Sequence, residues 1–113
     1  MEYRSTRSYR RFKVSLPLWV RFRRAKPSAQ HDDEEITTTT NMSLGGCFFY
    51  ISRKPALGSS AVMIVDTSGR LPRGKGGKFL CQGKVVRVSE QEQARKVGVA
   101  CTIDSYSFMP VQA

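Results

Sequence analysis

The sequence predicts an all-β domain, built as an antiparallel β-barrel or sandwich. Short apolar segments are separated by turn residues, several of them alternate apolar and polar positions, and no stretch has a convincing amphipathic helical pattern except a brief turn or helix after Asp104. At 113 residues with 40% hydrophobic content, the chain has room for one domain with one core.

The first strand has the clearest pattern. From Phe12 to Phe22 every even position is apolar, while the odd positions hold mostly basic or polar residues. A period of two over that length indicates a half-buried strand, and Pro17 places it at an edge or a bulge.

The remaining strands are bounded by Gly, Pro and acidic residues. A polar loop over residues 25–35 precedes the β-branched segment Ile36–Thr40, which we expect to pair with the first strand as a hairpin. Four further strands are predicted at residues 47–51, 61–65, 78–88 and 96–103.

Charge is concentrated at the beginning of the chain. Lys and Arg number 19 against 9 Asp and Glu, a formal net charge of +10, and residues 1–24 carry much of the excess. Residues 1–11 lack apolar periodicity and are expected to form a flexible basic arm before a barrel domain at 12–113. A field of this sign attracts nucleotides, nucleic acids or acidic membranes.

The cysteines suggest a reducing compartment. Cys47, Cys81 and Cys101 are odd in number and widely spaced, which suits reduced core thiols better than disulfides or a zinc site. No segment is apolar for long enough to span a bilayer or to form a signal peptide, so we expect a cytoplasmic protein without membrane insertion.

Two short motifs carry chemistry. The first is Arg7-Ser8-Tyr9-Arg10-Arg11, where the arm meets the first strand. Guanidinium groups can grip a phosphate, or pair with O6 and N7 of guanine, through two parallel hydrogen bonds. A solvated basic tail would produce the same spacing.

The second motif is Asn41-Met42-Ser43-Leu44-Gly45-Gly46, between two predicted strands. Asn and Ser offer donors and acceptors to a base or phosphate, and glycine permits positive φ and close backbone approach to an anion. An Asx-type turn with a glycine bulge is the alternative without a ligand.

Together, Arg7, Arg11, Asn41, Ser43 and Gly46 resemble the hallmark of the PilZ family of bacterial cyclic di-GMP receptors, which is Arg-x-x-x-Arg followed by Asp/Asn-x-Ser-x-x-Gly. Later strand-like segments at residues 83–88 and 97–99 also look like this family. The resemblance implies a six-stranded antiparallel barrel whose arm folds across one opening when the ligand arrives.

The resemblance also implies roles. Arg7 and Arg11 would hold phosphate and the guanine Hoogsteen edge, while Asn41 and Ser43 would hold a base from the barrel side. Many members carry an arginine directly before the first motif arginine, where this chain has Thr6, and Arg10 is a candidate substitute. One ligand or a stacked pair remains possible.

Other candidate sites are weaker. The segment Gly69–Lys75 fits Gly-x-x-x-x-Gly-Lys, but Gly76 replaces the magnesium-binding hydroxyl and a strand follows where a helix is needed. The acidic run at residues 31–35 is predicted to form a solvated turn rather than a metal site. For His31, the single histidine, the sequence shows no oriented nucleophile that could form a catalytic set with it. Trp19 is expected to pack against the C-terminal tail, with an exposed contact as the alternative.

The leading hypothesis is therefore a non-enzymatic adaptor that binds cyclic di-GMP, needs no metal, and signals to a protein partner in motility, biofilm or virulence control. A basic barrel that binds RNA or single-stranded DNA is the alternative, although such proteins usually line up aromatic side chains on a basic face, and only Trp19 is expected to lie on such a face here. A barrel that kept the fold but lost the ligand is the third possibility.

Overall fold

A computed structural model describes residues 13–23, 33–69, 76–93 and 95–110 of the chain. These residues form strands and turns, and among them there is no helix that could cross a membrane. The arm at residues 1–11 lies outside the described residues. The strands are β1 (Pro17–Phe22), β2 (Asp33–Ser43), β3 (Gly46–Ile51), β4 (Ser60–Asp66), β5 (Gly77–Gln93), β6 (Lys96–Thr102) and β7 (Ser105–Pro110).

Six strands close into an antiparallel barrel, as the sequence predicts. The strand order is β4-β1-β2-β3-β6-β5, and β5 pairs back onto β4. Strand β5 is 17 residues long and pairs with two strands along the same edge. Its N-terminal segment pairs with β7, and its C-terminal segment pairs with β6. Because β5 pairs with both β6 and β4, the six strands form a closed ring.

The core is filled by alternate residues, as the period of two requires. The even positions of β1 face inward, and Leu18 and Val20 are almost fully buried. Inward-facing residues of the other strands meet them in one cluster. The buried hydrophobic residues are Leu16, Leu18, Val20, Phe22, Cys47, Phe49, Ile51, Ala61, Met63, Val65, Cys81, Val85, Val99 and Cys101.

The C-terminal prediction was wrong: β7 is a strand, not a turn or helix. Its rings pack on Phe79 of β5, with centroid distances of 4.8 Å to Phe108 and 5.7 Å to Tyr106. Gly77 of β5 makes the close pairing possible, because a Cβ there would collide with the carbonyl oxygen of Met109. The alternation Ser-Tyr-Ser-Phe is the strand pattern that marks this element.

Several strand boundaries also differ from the prediction, and β5 continues to residue 93 rather than ending at 88. Strand β1 begins at Pro17 rather than Phe12, because residues 13–16 make contacts outside a regular ladder. Strand β2 begins at Asp33, so Glu34 and Glu35 are strand residues and do not belong to a solvated turn. Glu35 accepts hydrogen bonds from the backbone and hydroxyl of Ser52.

Trp19 does not behave as predicted. It is half-buried on the outer face of β1, its Nε1 donates to Glu34 of β2 at 3.2 Å, and the Arg21 guanidinium lies 5.6 Å from its ring centroid. Strand β7 lies beside β5, which β4 separates from β1. The described part of the tail, residues 105–110, is therefore not the surface on which Trp19 packs.

Candidate functional site

The second motif forms the β2–β3 hairpin. Ser43 and Gly46 are paired residues at the ends of the two strands, and Leu44 and Gly45 make the turn between them. The Gly45 N–H donates to the Ser43 hydroxyl oxygen at 3.1 Å, and the Gly45 carbonyl accepts from the N–H of Ile103 at 3.0 Å. The side chain that accepts a hydrogen bond within this turn is therefore Ser43, and the turn is not an Asx turn formed by Asn41. The hairpin is thus fixed to the end of β6.

A β-bulge directs the polar motif side chains outward. The β2–β3 register shifts between Thr39 and Asn41, so that Thr39 pairs with inward-facing Phe49 while Asn41 pairs with Phe48. Directly opposed residues point to the same side of a sheet, and the neighbours of Phe48 on β3 are both buried. Asn41, and Ser43 two residues later, therefore lie on the outer face and are half-buried.

Gly46 is required because there is no room for a Cβ at this position, not because of its φ and ψ angles. A Cβ at this position would lie 2.7 Å from the Cys101 carbonyl oxygen on β6, closer than real Cβ atoms approach. Among the described glycines, positive φ occurs at Gly58, not in this hairpin. Of the properties that glycine offers, the motif uses the small size of Gly46 and not a positive φ.

The base of the arm is fastened beside this hairpin. The Leu16 N–H donates to the Thr39 hydroxyl at 3.0 Å, that hydroxyl donates to the Val14 carbonyl at 2.5 Å, and the Thr39 N–H donates to the Leu16 carbonyl at 2.9 Å. Thr39 is 2% exposed and lies two residues before Asn41. Residues 13–16 thus enter the barrel at the end that carries the motif.

Sequence reasoning missed a row of side chains on the same outer face. Phe48 pairs with Asn41 on one side and with Ala100 on the other, and Ala100 pairs with Arg87 of β5. The Arg87 guanidinium lies 5.8 Å from the Phe48 ring centroid. Only the register of four strands brings these residues together, and the sequence does not contain that register.

Several predicted site residues cannot be placed. Arg7, Arg10 and Arg11 lie outside the described residues, as do His31 and residues 70–75 of the Gly-x-x-x-x-Gly-Lys segment. That segment connects the antiparallel strands β4 and β5, and a strand follows it, as expected. Within the described ranges, no three His, Cys, Asp or Glu side chains are grouped to hold a metal ion.

The three thiols lie inside the barrel beneath this face. Cys47 and Cys101 are paired across β3 and β6, and the Cys47 Sγ lies 3.5 Å from the Met63 Sδ. All three are free and buried. Burial raises the pKa of Cys81 to about 11 and that of Cys101 to about 12, and raises the pKa of Cys47 further with help from the other two thiols. These groups are packing residues, because a protonated buried thiol is a poor nucleophile.

Comparisons with known proteins agree with this architecture. A family model described as PilZ domain matches residues 5–107, and no curated protein matches the chain at a significant level. The structure of the Bacillus subtilis inhibitor of motility, MotI/DgrA, matches with a TM-score of 0.69 and 16% identity, over 95% of this chain and 46% of that chain. The PilZ domain with c-di-GMP of YcgR from Escherichia coli matches with a TM-score of 0.57 and 17% identity, over 88% of this chain and 79% of that chain. At these identities the likeness concerns the fold, and the chain spans about half the length of MotI/DgrA.

Proposed function

The chain belongs to the PilZ domain family, and on that premise we propose that it is a non-enzymatic receptor for cyclic di-GMP. The observation that carries the proposal is the bulge in β2, which turns Asn41 and Ser43 to the outer face beside the base of the arginine arm. The residues that follow the arm and the Asn41–Gly46 turn, although far apart in sequence, thereby lie at one end of the barrel.

The two sides of the proposed site have different chemistry. Asn41 offers a carbonyl and an amide to a guanine edge, and the Ser43 hydroxyl can donate to the ligand while its oxygen accepts from Gly45. Arg7 and Arg11 supply planar donor pairs for phosphate and for the guanine Hoogsteen edge, with Arg10 as the substitute for the arginine absent at Thr6. The ligand is regulatory, and the site uses no metal.

Chain connectivity supports this division. Arg11 is three residues from Val14, so its Cα lies within about 11 Å of the Val14 Cα in any conformation. Val14 is held by Thr39, two residues from Asn41. A guanidinium from the arm can therefore reach a ligand seated on Asn41 and Ser43.

We further propose that the ligand acts by ordering the arm. Eight basic residues lie between positions 4 and 24, and a ligand with two phosphates reduces their mutual repulsion while charge-assisted hydrogen bonds offset the lost entropy. The ordered surface would then meet a protein partner in the cytoplasm. The match to an inhibitor of motility favours motility among the outputs, with biofilm and virulence control as related possibilities.

One observation keeps nucleic-acid binding as the second candidate. Phe48 and Tyr50 form an edge-to-face pair with centroids 5.2 Å apart on the outer face of β3, next to Arg87. Aromatic rings on a basic sheet are a stacking surface for single-stranded bases. Trp19 is thus not the single aromatic residue on a basic outer face.

Calorimetric titration separates these functions. Cyclic di-GMP, GTP, cyclic di-AMP and a short single-stranded oligonucleotide are each titrated into the full chain at low and at physiological salt. We expect saturable heat with cyclic di-GMP that persists at physiological salt. Equal heats with every polyanion, vanishing as salt rises, would instead support the nucleic-acid candidate, and no heat with cyclic di-GMP at either salt would refute the receptor function.

A further inference from the structure

We propose that Arg87 is a second, barrel-side anion contact of this site, and that it binds a phosphate of the ligand held by Asn41 and Ser43. The inference rests on the proposed receptor function. It adds a residue that lies outside both sequence motifs and on the barrel wall itself.

The register of the sheet puts Arg87 on the correct face. Asn41, Phe48, Ala100 and Arg87 are successive partners across β2, β3, β6 and β5, so all four point to the same side. The adjacent residues Cys47, Cys101 and Val88 pack in or against the core, and a bulge after Val85 brings Arg87 to the outer face. Arg87 is exposed and lies on the same outer face of the sheet as Asn41 and Ser43.

Small residues on β6 let the side chains of Arg87 and Phe48 meet above that strand. The Arg87 and Phe48 Cα atoms are separated by β6, a distance of about 9.5 Å for two strand spacings. Ala100 between them has a short side chain, the Phe48 ring lies against Gly98 of the same strand, and the guanidinium comes to 5.8 Å from the ring centroid. Arg87 thus interacts with the direct strand partner of Asn41, although the backbones of Arg87 and Asn41 are three strands apart.

Gly98 gives the Phe48 ring its position. A Cβ at Gly98 would lie 2.5 Å from the Phe48 Cζ, so the ring rests against the backbone of β6 where any other residue would displace it. Tyr50 holds the same ring from the side. A ring fixed in this way limits the conformations of the guanidinium above it, so that less entropy is lost when an anion binds.

The chemistry suits phosphate. A guanidinium over an aromatic face keeps the N–H donors at its edge available, and these match two phosphate oxygens. Asn41 and Ser43, which are uncharged, suit a base edge instead. The outer face thus offers an uncharged region on β2 and a cationic region on β5, as a molecule with both bases and phosphates requires.

The test is a titration of cyclic di-GMP into the full chain and into Arg87→Ala, Arg87→Gln and Arg21→Ala. Arg21 is the matched control, because its guanidinium lies 5.6 Å from the Trp19 centroid on the outer face of β1, where it pairs with Glu34 rather than with the motif end of β2. We expect both Arg87 variants to weaken the dissociation constant by about tenfold or more, and Arg21→Ala to change it less than about twofold.

The outcomes distinguish the two proposals. Absence of binding by the unmodified chain would refute the receptor function itself. Tight binding by the unmodified chain with dissociation constants within twofold for both Arg87 variants would leave the receptor function standing and overturn the role of Arg87. An equal loss in Arg21→Ala would also overturn it, since net charge alone would then explain the effect. Arg87→Gln keeps most of the side chain, so it decides the question if Arg87→Ala folds poorly.

Discussion

The Thr39 hydroxyl accepts a hydrogen bond from the Leu16 N–H, while the Thr39 N–H donates to the Leu16 carbonyl. The same hydroxyl donates to Val14. One buried threonine therefore satisfies three backbone groups, two of Leu16 and one of Val14, just before β1 begins. The same residue stands directly before the bulge that turns Asn41 outward. Thr39 therefore both holds residues 14 and 16 and stands beside the bulge that orients Asn41.

Replacing Thr39 by Val keeps the shape of the side chain and removes its hydroxyl. We expect the free energy of unfolding to fall by about 1–3 kcal/mol, because the Leu16 N–H and the Val14 carbonyl lose a buried partner. Urea titration followed by Trp19 fluorescence measures the change. Thr38→Val, at an exposed neighbouring position, is the control and should stay within about 0.5 kcal/mol of the unmodified protein. Equal stability of both variants would contradict the role of Thr39.

The motif glycine should be a folding residue even without a ligand. Gly46→Ala places a Cβ against the Cys101 carbonyl, and the required backbone shift should destabilise the ligand-free protein by about 1–3 kcal/mol. Gly69→Ala is the control, because nothing lies within 4 Å of its Cβ. Thermal unfolding of both variants measures the difference. If Gly46→Ala melts with the control, the glycine serves the ligand alone.

The arm arginines should behave in the opposite way. Arg7→Ala and Arg11→Ala are each expected to remove measurable cyclic di-GMP binding while leaving the melting temperature of the ligand-free protein nearly unchanged, because a basic arm without apolar periodicity is expected to add little to the core. Arg4→Ala, in the arm but outside the motif, is the control and should retain binding. Partial loss in Arg10→Ala would support its substitution for the arginine absent at Thr6. Unfolding of the Arg7 or Arg11 variant would mean that these residues are structural.

Much of the barrel follows from the sequence because alternation is a local property. The even positions of β1 are apolar and turn out buried, since a strand has only two faces and one meets the core. Strand β7 was missed although its rings alternate, because it packs outside the barrel and its residues remain exposed. A strand that rests on Phe79 alone has a weak hydrophobic signal.

The site is only partly predictable. The hairpin Asn41–Gly46 can be found from its residue types, but the bulge that aims Asn41 depends on pairing with β3, which is not local. Arg87 could not be connected to the motif at all, because it lies 46 positions further along the chain and meets Phe48 only through the registers of β3–β6 and β5–β6. The reason for Gly46 likewise lies on β6, in the Cys101 carbonyl.

The buried thiols predict a loss of stability at high pH. Burial raises the pKa of Cys81 from 9.0 to about 11 and that of Cys101 to about 12, so the folded state retains protons that the unfolded state has released. Their contribution to stability is complete below pH 9 and declines as pH rises toward 11–12, by at most about 1.4 kcal/mol per pH unit for each thiol. Urea titrations of the unmodified protein and of Cys81→Ala at pH 8, 9, 10 and 11 isolate the effect of this thiol, because every other titratable group is common to the two proteins. We expect the variant to lose stability less steeply above pH 9, and parallel curves would show that Cys81 is not the cause.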